Sequence, residues 1–201
     1  LTSGPWPKLT AGQRGPLLRK LGDLIAPEGK RLAVVEVRDN GKLYAEMSAQ
    51  TAYMAQWYYY FGGLADKIEG EVIPIDKPDT FNYTRHEPVG VVVAIVPWNS
   101  PLLLTAWKLA PALAAGCTVV IKPSEFTSAS TLEFVKLVEQ AGFPPGVVNV
   151  VTGFGADVGM PLVEHPLTAK VAFTGSDRTG ALIYQSAAKA LERGSMEVGG
   201  K

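Results

Sequence analysis

The spacing of apolar positions divides the chain into a helical first part and a second part in which strands and helices alternate. The first 68 residues follow a helical pattern. Thr10 and Gln13 have the form of a capping box near the start of this part. A third helical stretch covers residues 42–68 and ends in an aromatic-rich turn broken by glycines. The first stretch carries an apolar stripe typical of an amphipathic helix, formed by Leu17, Leu18, Leu21, Leu24 and Ile25.

An aromatic run, "WYYYF", occupies positions 57–61. Such a run is compatible with a box of side chains around a cofactor. The alternative is a helix face that packs on a neighbouring layer. The second interpretation is favoured, because large aromatic side chains most often fill cores.

Residues 70–88 have a different texture and are predicted to form a hairpin. Two extended segments flank the turn signal "KPDT" at 77–80. A mostly polar hairpin cannot bury a core of its own, so we expect it to lie against another element or another subunit. Alternation divides the second segment into two faces, one with Phe81, Tyr83 and Arg85 and the other with Asn82, Thr84 and His86.

From residue 91 onward the pattern becomes regular. Short apolar runs, as expected of strands buried on both faces, alternate with amphipathic helical segments. This order predicts a parallel, doubly wound α/β sheet preceded by helices. Strands are predicted at 91–96, 118–122, 146–151, 169–173 and 194–198, and helices at 101–116, 128–142, 156–165 and 177–190.

Composition narrows the classes of function. The 201 residues are 47% hydrophobic and carry no formal net charge, which fits a globular protein with a sizeable core. Charge balance argues against nucleic acid or an anionic membrane as the main partner. The sequence contains no run of 18 or more apolar residues, so no membrane-spanning helix is predicted. His86 and His165 are far apart and lack neighbouring ligands, so a zinc site is not expected.

The ends and the cysteine count bear on the setting of the protein. The chain begins at Leu1, shows no signal-like segment, and looks cut from a longer protein at both ends. With Cys117 as the only cysteine, an internal disulfide is impossible. A reducing compartment is therefore favoured, and we expect the cytoplasm.

Chemistry is expected beyond the carboxyl ends of the parallel strands, where ligands bind in open α/β sheets. Five short stretches fall on that rim. They are "PWNSP" (97–101), "KPSE" (122–125), "GFGADVG" (153–159), "FTGS" (173–176) and "EVGG" (197–200). Because all five share one edge, they predict a single ligand site.

Two of these stretches are glycine-rich entries into helices. "GFGADVG" is one residue longer than the usual dinucleotide fingerprint, so a nucleotide-binding turn and a simple tight turn remain open. In "FTGS", Ser176 and the free N–H groups at the helix start are suited to a pyrophosphate. Ser176 is also a common type of helix cap, and that alternative stays open.

The other rim residues carry charge or an amide. Glu125 is placed to accept hydrogen bonds from both ribose hydroxyls, and it would repel a 2′-phosphate. Lys122 is placed to donate to the same sugar, although a plain surface ion pair with Glu125 is the alternative. Asn99 lies between two prolines that stiffen its loop. An amide donor there suits an oxyanion hole, and a simple turn asparagine is the other interpretation.

In combination these stretches resemble the aldehyde dehydrogenase superfamily. "GVVVAIVPWNSPLLLTAWKLAPALAAGCTVVIKPSE", "FTGS" and "MEVGGK" occur in the family's order and at about its spacing. The resemblance implies an NAD-binding domain of the family's type over 1–69 and 89–198. It also implies an oligomerisation arm at 70–88, with a homodimer or homotetramer as the assembly, and the start of an absent catalytic domain at 199–201.

The resemblance also implies roles for matching positions. Asn99 would stabilise an oxyanion, Glu197 would be the general base, and Lys122 and Glu125 would hold the adenosine ribose of NAD, with NADP disfavoured. The family binds NAD differently from the usual Rossmann loop, which accounts for the odd glycine spacing. The positions implied to contact the cofactor are Ile95, Val96, Pro97, Trp98, Lys122, Ser124, Glu125, Gly155, Gly159, Phe173, Thr174, Gly175, Ser176, Thr179, Val198 and Gly199.

The implied reaction is the oxidation of a small aldehyde to an acid. A cysteine thiolate attacks the aldehyde, hydride leaves to the nicotinamide, and water activated by Glu197 hydrolyses the thioester. A carboxylate suits this last step if partial burial raises its pKa. Val198 stands where leucine is commoner in the family.

The nucleophile is missing from the matching stretches. Cys117 lies in the wrong motif and is expected to be a buried small hydrophobe, so the catalytic cysteine is expected after residue 201. The presence of Glu197 favours hydrolysis over transfer to coenzyme A. The alternative is a non-catalytic NAD-binding or structural protein on the same scaffold.

Overall fold

The computed structural model describes residues 4–189 and 191–199. The predicted ends at 1–3 and at 200–201 therefore lie outside the described residues, and so does Gly200 of the last rim stretch. The first layer is a helical pair, and the rest is a five-stranded parallel sheet with helices on both faces. The predicted fold class is confirmed. The helices are α1 (Ala11–Asn40), α2 (Tyr44–Leu64), α3 (Pro101–Ala114), α4 (Ala129–Ala141), α5 (Met160–Val163) and α6 (Asp177–Lys189).

The strands follow the order β3-β2-β1-β4-β5, with every neighbouring pair parallel. The chain therefore moves outward from β1 on one side and then returns to the other side of β1. The strand order reverses between β1 and β4, and a ligand is expected at this switch point. The strands are β1 (Val91–Ile95), β2 (Thr118–Lys122), β3 (Val148–Val150), β4 (Thr168–Gly175) and β5 (Arg193–Val198).

Helix α1 is longer than the sequence pattern predicts. It runs unbroken over residues that include Pro16 and Pro27, so the predicted third helical stretch is the second helix, α2. The expected capping contact is present, because the Gln13 side chain accepts a hydrogen bond from the Thr10 N–H at 2.9 Å. Gly41 ends α1 in the left-handed conformation, with φ of 68°, where glycine avoids the steric cost of a side chain.

The two faces of the sheet have separate cores, and β1 contributes to both. Val92 and Ala94 face α1–α4, while Val93 and Ile95 face α5 and α6. The large core on the first face includes the predicted stripe of α1, since Leu18, Leu21 and Ile25 are fully buried. The aromatic run of α2 packs as the favoured interpretation predicts, because Tyr58 is fully buried against Phe134 of α4.

The segment at 70–88 has little of the strand pairing expected of a hairpin. A single antiparallel bridge joins Val72 to Tyr83, with flanking backbone hydrogen bonds at Ile73 and Thr84. The rings of Phe81 and Tyr83 lie 5.6 Å apart on an exposed face, as the alternation predicts. A role of this segment in oligomerisation stays a prediction.

Within the part of the chain that the structure describes, no helix combines the length and the apolar character needed to cross a membrane.

Candidate functional site

A cleft of about 1330 Å³ opens at the carboxyl ends of the strands, beside β1 and β4. Its walls include residues at or just after the ends of β1, β2, β3, β4 and β5, together with the start of α6. Every residue that the sequence predicted for the site lines this cleft. They are Ile95, Val96, Pro97, Trp98, Asn99, Lys122, Ser124, Glu125, Gly155, Gly159, Phe173, Thr174, Gly175, Ser176, Thr179, Glu197, Val198 and Gly199. The structure thus brings these residues together, while their individual roles stay predictions.

Lys122 and Glu125 form a charged pair in the wall after β2. The Lys122 Nζ lies 3.4 Å from the Glu125 Oε2 and donates to the Pro123 carbonyl at 3.1 Å. The Lys122 side chain is almost completely buried, whereas the Glu125 side chain is about one-third exposed. The pair therefore presents a carboxylate and an ammonium group side by side to the cleft, a suitable arrangement for sugar hydroxyls.

The geometry of the glycine-rich turn after β3 accounts for the extra residue between its glycines. Residues Gly155–Gly159 form a wide helical turn in which the Gly159 N–H donates to the Phe154 carbonyl at 3.4 Å. A turn closed by an i→i+5 bond holds one residue more than an α-helical turn. A methyl group on Gly159 would lie 3.7 Å from the Lys122 side chain, so the turn packs closely over that lysine.

The wall after β4 combines an aromatic ring with a capped helix start. The Phe173 ring folds over Gly175, where a methyl group would come within 2.4 Å of the ring. The Ser176 Oγ accepts a hydrogen bond from the Thr179 N–H at 3.3 Å and contacts its hydroxyl at 3.0 Å. Ser176 therefore does cap α6, the alternative left open by the sequence. Ser176 also lines the cleft.

Asn99 sits at the tip of the loop between β1 and α3 and is exposed. Its backbone carbonyl accepts a hydrogen bond from the Asn40 Nδ2 at 3.4 Å. The neighbouring Ser100 is buried, and Pro101 begins α3. The amide is thus free to face a ligand while the backbone around it is held.

Glu197 lies on β5 directly opposite Thr174 of β4. The Thr174 hydroxyl and the Glu197 Oε2 are 2.6 Å apart, and the Lys108 Nζ lies 2.6 Å from the same hydroxyl and 3.2 Å from the same carboxylate oxygen. Lys108 comes from the middle of α3 and its side chain is only 5% exposed, while that of Glu197 is 53% exposed. The three groups form one hydrogen-bonded triangle.

This triangle reverses an expectation about Glu197. Burial tends to raise its pKa, but the hydrogen bond from Thr174 and the charge of Lys108 together lower the pKa below its ordinary value. The condition that partial burial raises this pKa toward neutrality is therefore not met in this arrangement. Burial also lowers the pKa of Lys108, against the opposing effect of Glu197.

Sequence reasoning missed several lining residues and the lysine. Trp107 and Lys108 follow Leu104 by three and four positions on α3, so each lies about one helical turn from it. The available signal was a lone lysine in an otherwise apolar helix, since such a residue is rarely buried without a partner. The lining residues not predicted are Lys42, Leu104, Trp107, Phe126, Ala156, Met160, Leu182 and Ile183.

Cys117 is buried, as the sequence predicted, and does not line the main cleft. Its backbone carbonyl accepts a hydrogen bond from the Trp6 indole at 3.0 Å. It directly precedes β2, and its burial is consistent with a packing role.

The fold defines a doubly wound α/β protein with a cleft at the switch point of its sheet, where such proteins bind ligands. Comparison with known proteins narrows this class. The profile of the aldehyde dehydrogenase family matches residues 2–201. The chain belongs to the aldehyde dehydrogenase family.

Individual relatives support this assignment. A (Z)-2-((N-methylformamido)methylene)-5-hydroxybutyrolactone dehydrogenase of Acinetobacter baylyi is 56% identical over 98% of this chain and 40% of its own length. The mitochondrial aldehyde dehydrogenase of Sus scrofa is 48% identical over 98% of this chain and 38% of its own length. The solved betaine aldehyde dehydrogenase of Staphylococcus aureus in complex with NAD+ superposes with a TM-score of 0.95 at 42% identity, covering 98% of this chain and 39% of that chain.

The chain spans about 40% of the length of the curated relatives it matches.

Proposed function

We propose that this chain is the cofactor-binding part of an NAD-dependent aldehyde dehydrogenase that oxidises a small aldehyde to a carboxylic acid. The observation that carries the proposal is that an exposed amide, Asn99, and a carboxylate, Glu197, line the same cleft as the Lys122–Glu125 pair. One cleft thus combines groups for carbonyl chemistry with groups for a sugar. Membership of the family supports the same assignment.

The residues of the cleft fit a dinucleotide. Its volume of about 1330 Å³ exceeds that of most small-ligand pockets. Lys122 and Glu125 would hold the adenosine ribose, and the capped start of α6 at Ser176 would face the pyrophosphate. Gly155 has open space where a side chain would be, so a ligand can approach its backbone. When bound, NAD supplies the acceptor for the hydride that leaves the substrate.

Asn99 and Glu197 would act at successive stages. The cysteine nucleophile is expected from the part of the protein outside this chain. When it attacks the aldehyde, the Asn99 amide would donate a hydrogen bond to the developing oxyanion. After oxidation, Glu197 would take a proton from the water that cleaves the thioester, releasing acid and thiol.

The triangle with Thr174 and Lys108 defines what Glu197 must do first. With a lowered pKa, the carboxylate is ionised but weakly basic. Its exposed side chain must rotate away from Lys108 to become a stronger base. The ion pair is therefore the resting position of the base in this proposal, and the working position lies elsewhere in the cleft.

The experiment that tests this function measures aldehyde-dependent NADH formation by the whole protein. Asn99→Ala is expected to slow it by about 100-fold or more, and Glu197→Gln to stop turnover after one round of NADH formation. Exposed Glu139→Gln on α4 is the control. Unchanged turnover in both cleft variants would favour the non-catalytic alternative, and acyl-coenzyme A as product would replace hydrolysis by transfer.

The setting of the protein is part of the proposal. The exposed apolar face of residues 70–88 supports a homodimer or homotetramer, since Val72, Phe81 and Tyr83 are all more than half exposed. A single buried cysteine supports a reducing compartment such as the cytoplasm.

A further inference from the structure

Glu36 is a buried carboxyl group that forms no ion pair within the described part of the chain, although the charge of Lys42 tends to lower its pKa. It lies in the C-terminal half of α1 and is 1% exposed. Its Oε1 accepts a hydrogen bond from the Leu102 N–H at 2.8 Å, while Oε2 has no hydrogen-bond partner among the described residues. Burying such a group is costly, so its contact with the Leu102 N–H calls for a reason.

The contact is made with the start of α3. The first N–H groups of a helix lack partners within the helix and favour a negative group nearby. Ser100 precedes α3 but its side chain does not cap the helix, and Pro101 has no N–H. Leu102 therefore carries the first free donor, and Glu36 supplies the acceptor from 66 residues away.

The neighbouring residues of α1 hold other parts of the same rim. The Asn40 Nδ2 donates to the Asn99 carbonyl at 3.4 Å. The Asp39 Oδ2 accepts from the Ala129 N–H at 2.9 Å, at the start of α4, where Ser128 makes no side-chain cap. The end of α1 thus forms hydrogen bonds with both the Asn99 loop and the start of the helix that follows the Lys122–Glu125 loop.

We propose that Glu36 is a positioning residue: it anchors the start of α3 and so fixes the Asn99 amide for oxyanion stabilisation. The inference rests on the proposed function, because it assumes that role for Asn99. Asn99 is exposed and lies three residues before Leu102, the first helical donor, so its place depends on where α3 begins. A displacement of about 1 Å at such a group can cost about 100-fold in rate.

The chemistry of the site allows a discriminating substitution. Glutamine at position 36 keeps an oxygen that accepts from the Leu102 N–H, whereas leucine keeps the volume and removes the acceptor. Burial raises the pKa of Glu36 to about 7, so a neutral glutamine is close to what the site already tolerates. Rescue by glutamine therefore separates hydrogen-bonded positioning from a need for charge.

The test uses steady-state kinetics of the whole protein with Glu36→Gln, Glu36→Leu, Asn99→Ala and the double variant Glu36→Leu/Asn99→Ala. We expect Glu36→Gln to stay within about threefold of the unmodified rate. Glu36→Leu should lower kcat by about 10- to 100-fold while KM for NAD changes by about threefold or less. The double variant should be no slower than Asn99→Ala alone, because the two residues act as one unit.

Each other outcome overturns the inference. Equal losses for Gln and Leu would mean that charge matters and not the hydrogen bond. An unchanged kcat in Glu36→Leu would remove the positioning role, and additive losses in the double variant would mean a general structural effect. An Asn99→Ala variant with full activity would instead refute the proposed role of Asn99 itself. If Glu36→Leu does not fold, Glu36→Asp withdraws the acceptor by one methylene and gives the same contrast with glutamine.

Asp39 supplies a second readout in the same experiment. Asp39→Ala removes the cap of α4, which follows the loop of Lys122 and Glu125. Its larger effect should fall on KM for NAD, whereas the larger effect of Glu36→Leu should fall on kcat. Effects of the same kind from both variants would show loosening of the whole rim and overturn a specific role for Glu36.

Discussion

Lys108 of α3 and Glu197 of β5 form an ion pair with 3.2 Å between Nζ and Oε2, in which the lysine is buried and the carboxylate is half exposed. The two partners thus differ in freedom. Lys108 is fixed by the packing of α3, and Glu197 can leave with little loss of buried contact. The resting pair therefore sets the protonation state of a carboxylate whose proposed work requires movement.

Replacing Lys108 should raise the pKa of Glu197. In Lys108→Met, burial, which raises this pKa, and the Thr174 hydrogen bond, which lowers it, remain, while the lowering effect of the lysine charge is gone. The carboxyl group then stays protonated to a higher pH, and the acidic limb of the pH–activity profile shifts to higher pH. Carbon-13 NMR titration of the Glu197 carboxyl checks the shift, with Lys136→Met, an exposed partner of Glu133, as the control. A titration unchanged from that control would contradict the pairing.

Glu36 should make stability depend on pH. Its pKa is about 7 in the folded chain against an ordinary value of 4.5, so folding strengthens proton binding. The stability contributed is full below pH 4.5 and is lost as the pH rises through 7, by about 3 kcal/mol at most. Glu36→Gln does not titrate, so its unfolding free energy relative to the unmodified chain should rise over that window. Denaturant unfolding at pH 5 and pH 8 measures this, and parallel curves would refute it.

Two glycines at the start of α1 should respond oppositely to alanine. A methyl group on Gly15 would lie 2.6 Å from the Gly62 carbonyl of α2, whereas one on Gly12 meets nothing closer than 4.0 Å. Gly15→Ala should destabilise the chain by about 1–3 kcal/mol through overpacking. Gly12→Ala should be neutral or stabilising by up to about 1 kcal/mol through helix propensity. Thermal unfolding compares the two, and equal shifts would argue against a tight α1–α2 contact.

Glu125 should select NAD over NADP. Its carboxylate would accept from the ribose hydroxyls and repel a 2′-phosphate beside Lys122. Glu125→Ala should weaken NAD binding by about tenfold or more and narrow the difference between the two cofactors. Calorimetry of both cofactors measures this, with exposed Glu139→Ala as control. Stronger binding of NADP by the unmodified protein would reject the assignment.

The exposed aromatic face of residues 70–88 should mediate self-association. Phe81 is 72% exposed and contacts Tyr83. If a second copy covers it, Phe81→Ser should weaken association by about tenfold or more, as for an aromatic hot spot. Sedimentation of the whole protein measures this. Leu167→Ser, equally exposed outside this segment at 69%, should leave the assembly intact, and identical behaviour of both variants would remove the arm from the interface.

Local patterns were sufficient for the sheet and for the outline of the cleft. The run at 118–122 predicted β2 with its observed ends, and Gly142 ended α4 as expected. Rim residues such as Asn99 and Glu125 followed from one rule, that parallel strands end on a common edge. The length of α1 did not follow, because contacts with α2 hold the helix together across Pro27.

The sequence by itself determined the order of strands and helices, the rim on which a ligand site must lie, and the resemblance to a family, because these depend on residue type and spacing along the chain. Only the tertiary structure decided the state of Glu197 and the partner of Glu36. Those groups meet Lys108 and Leu102 across 89 and 66 residues. A pKa or a helix cap depends on distance and burial in space, and neither quantity can be read from spacing along a chain.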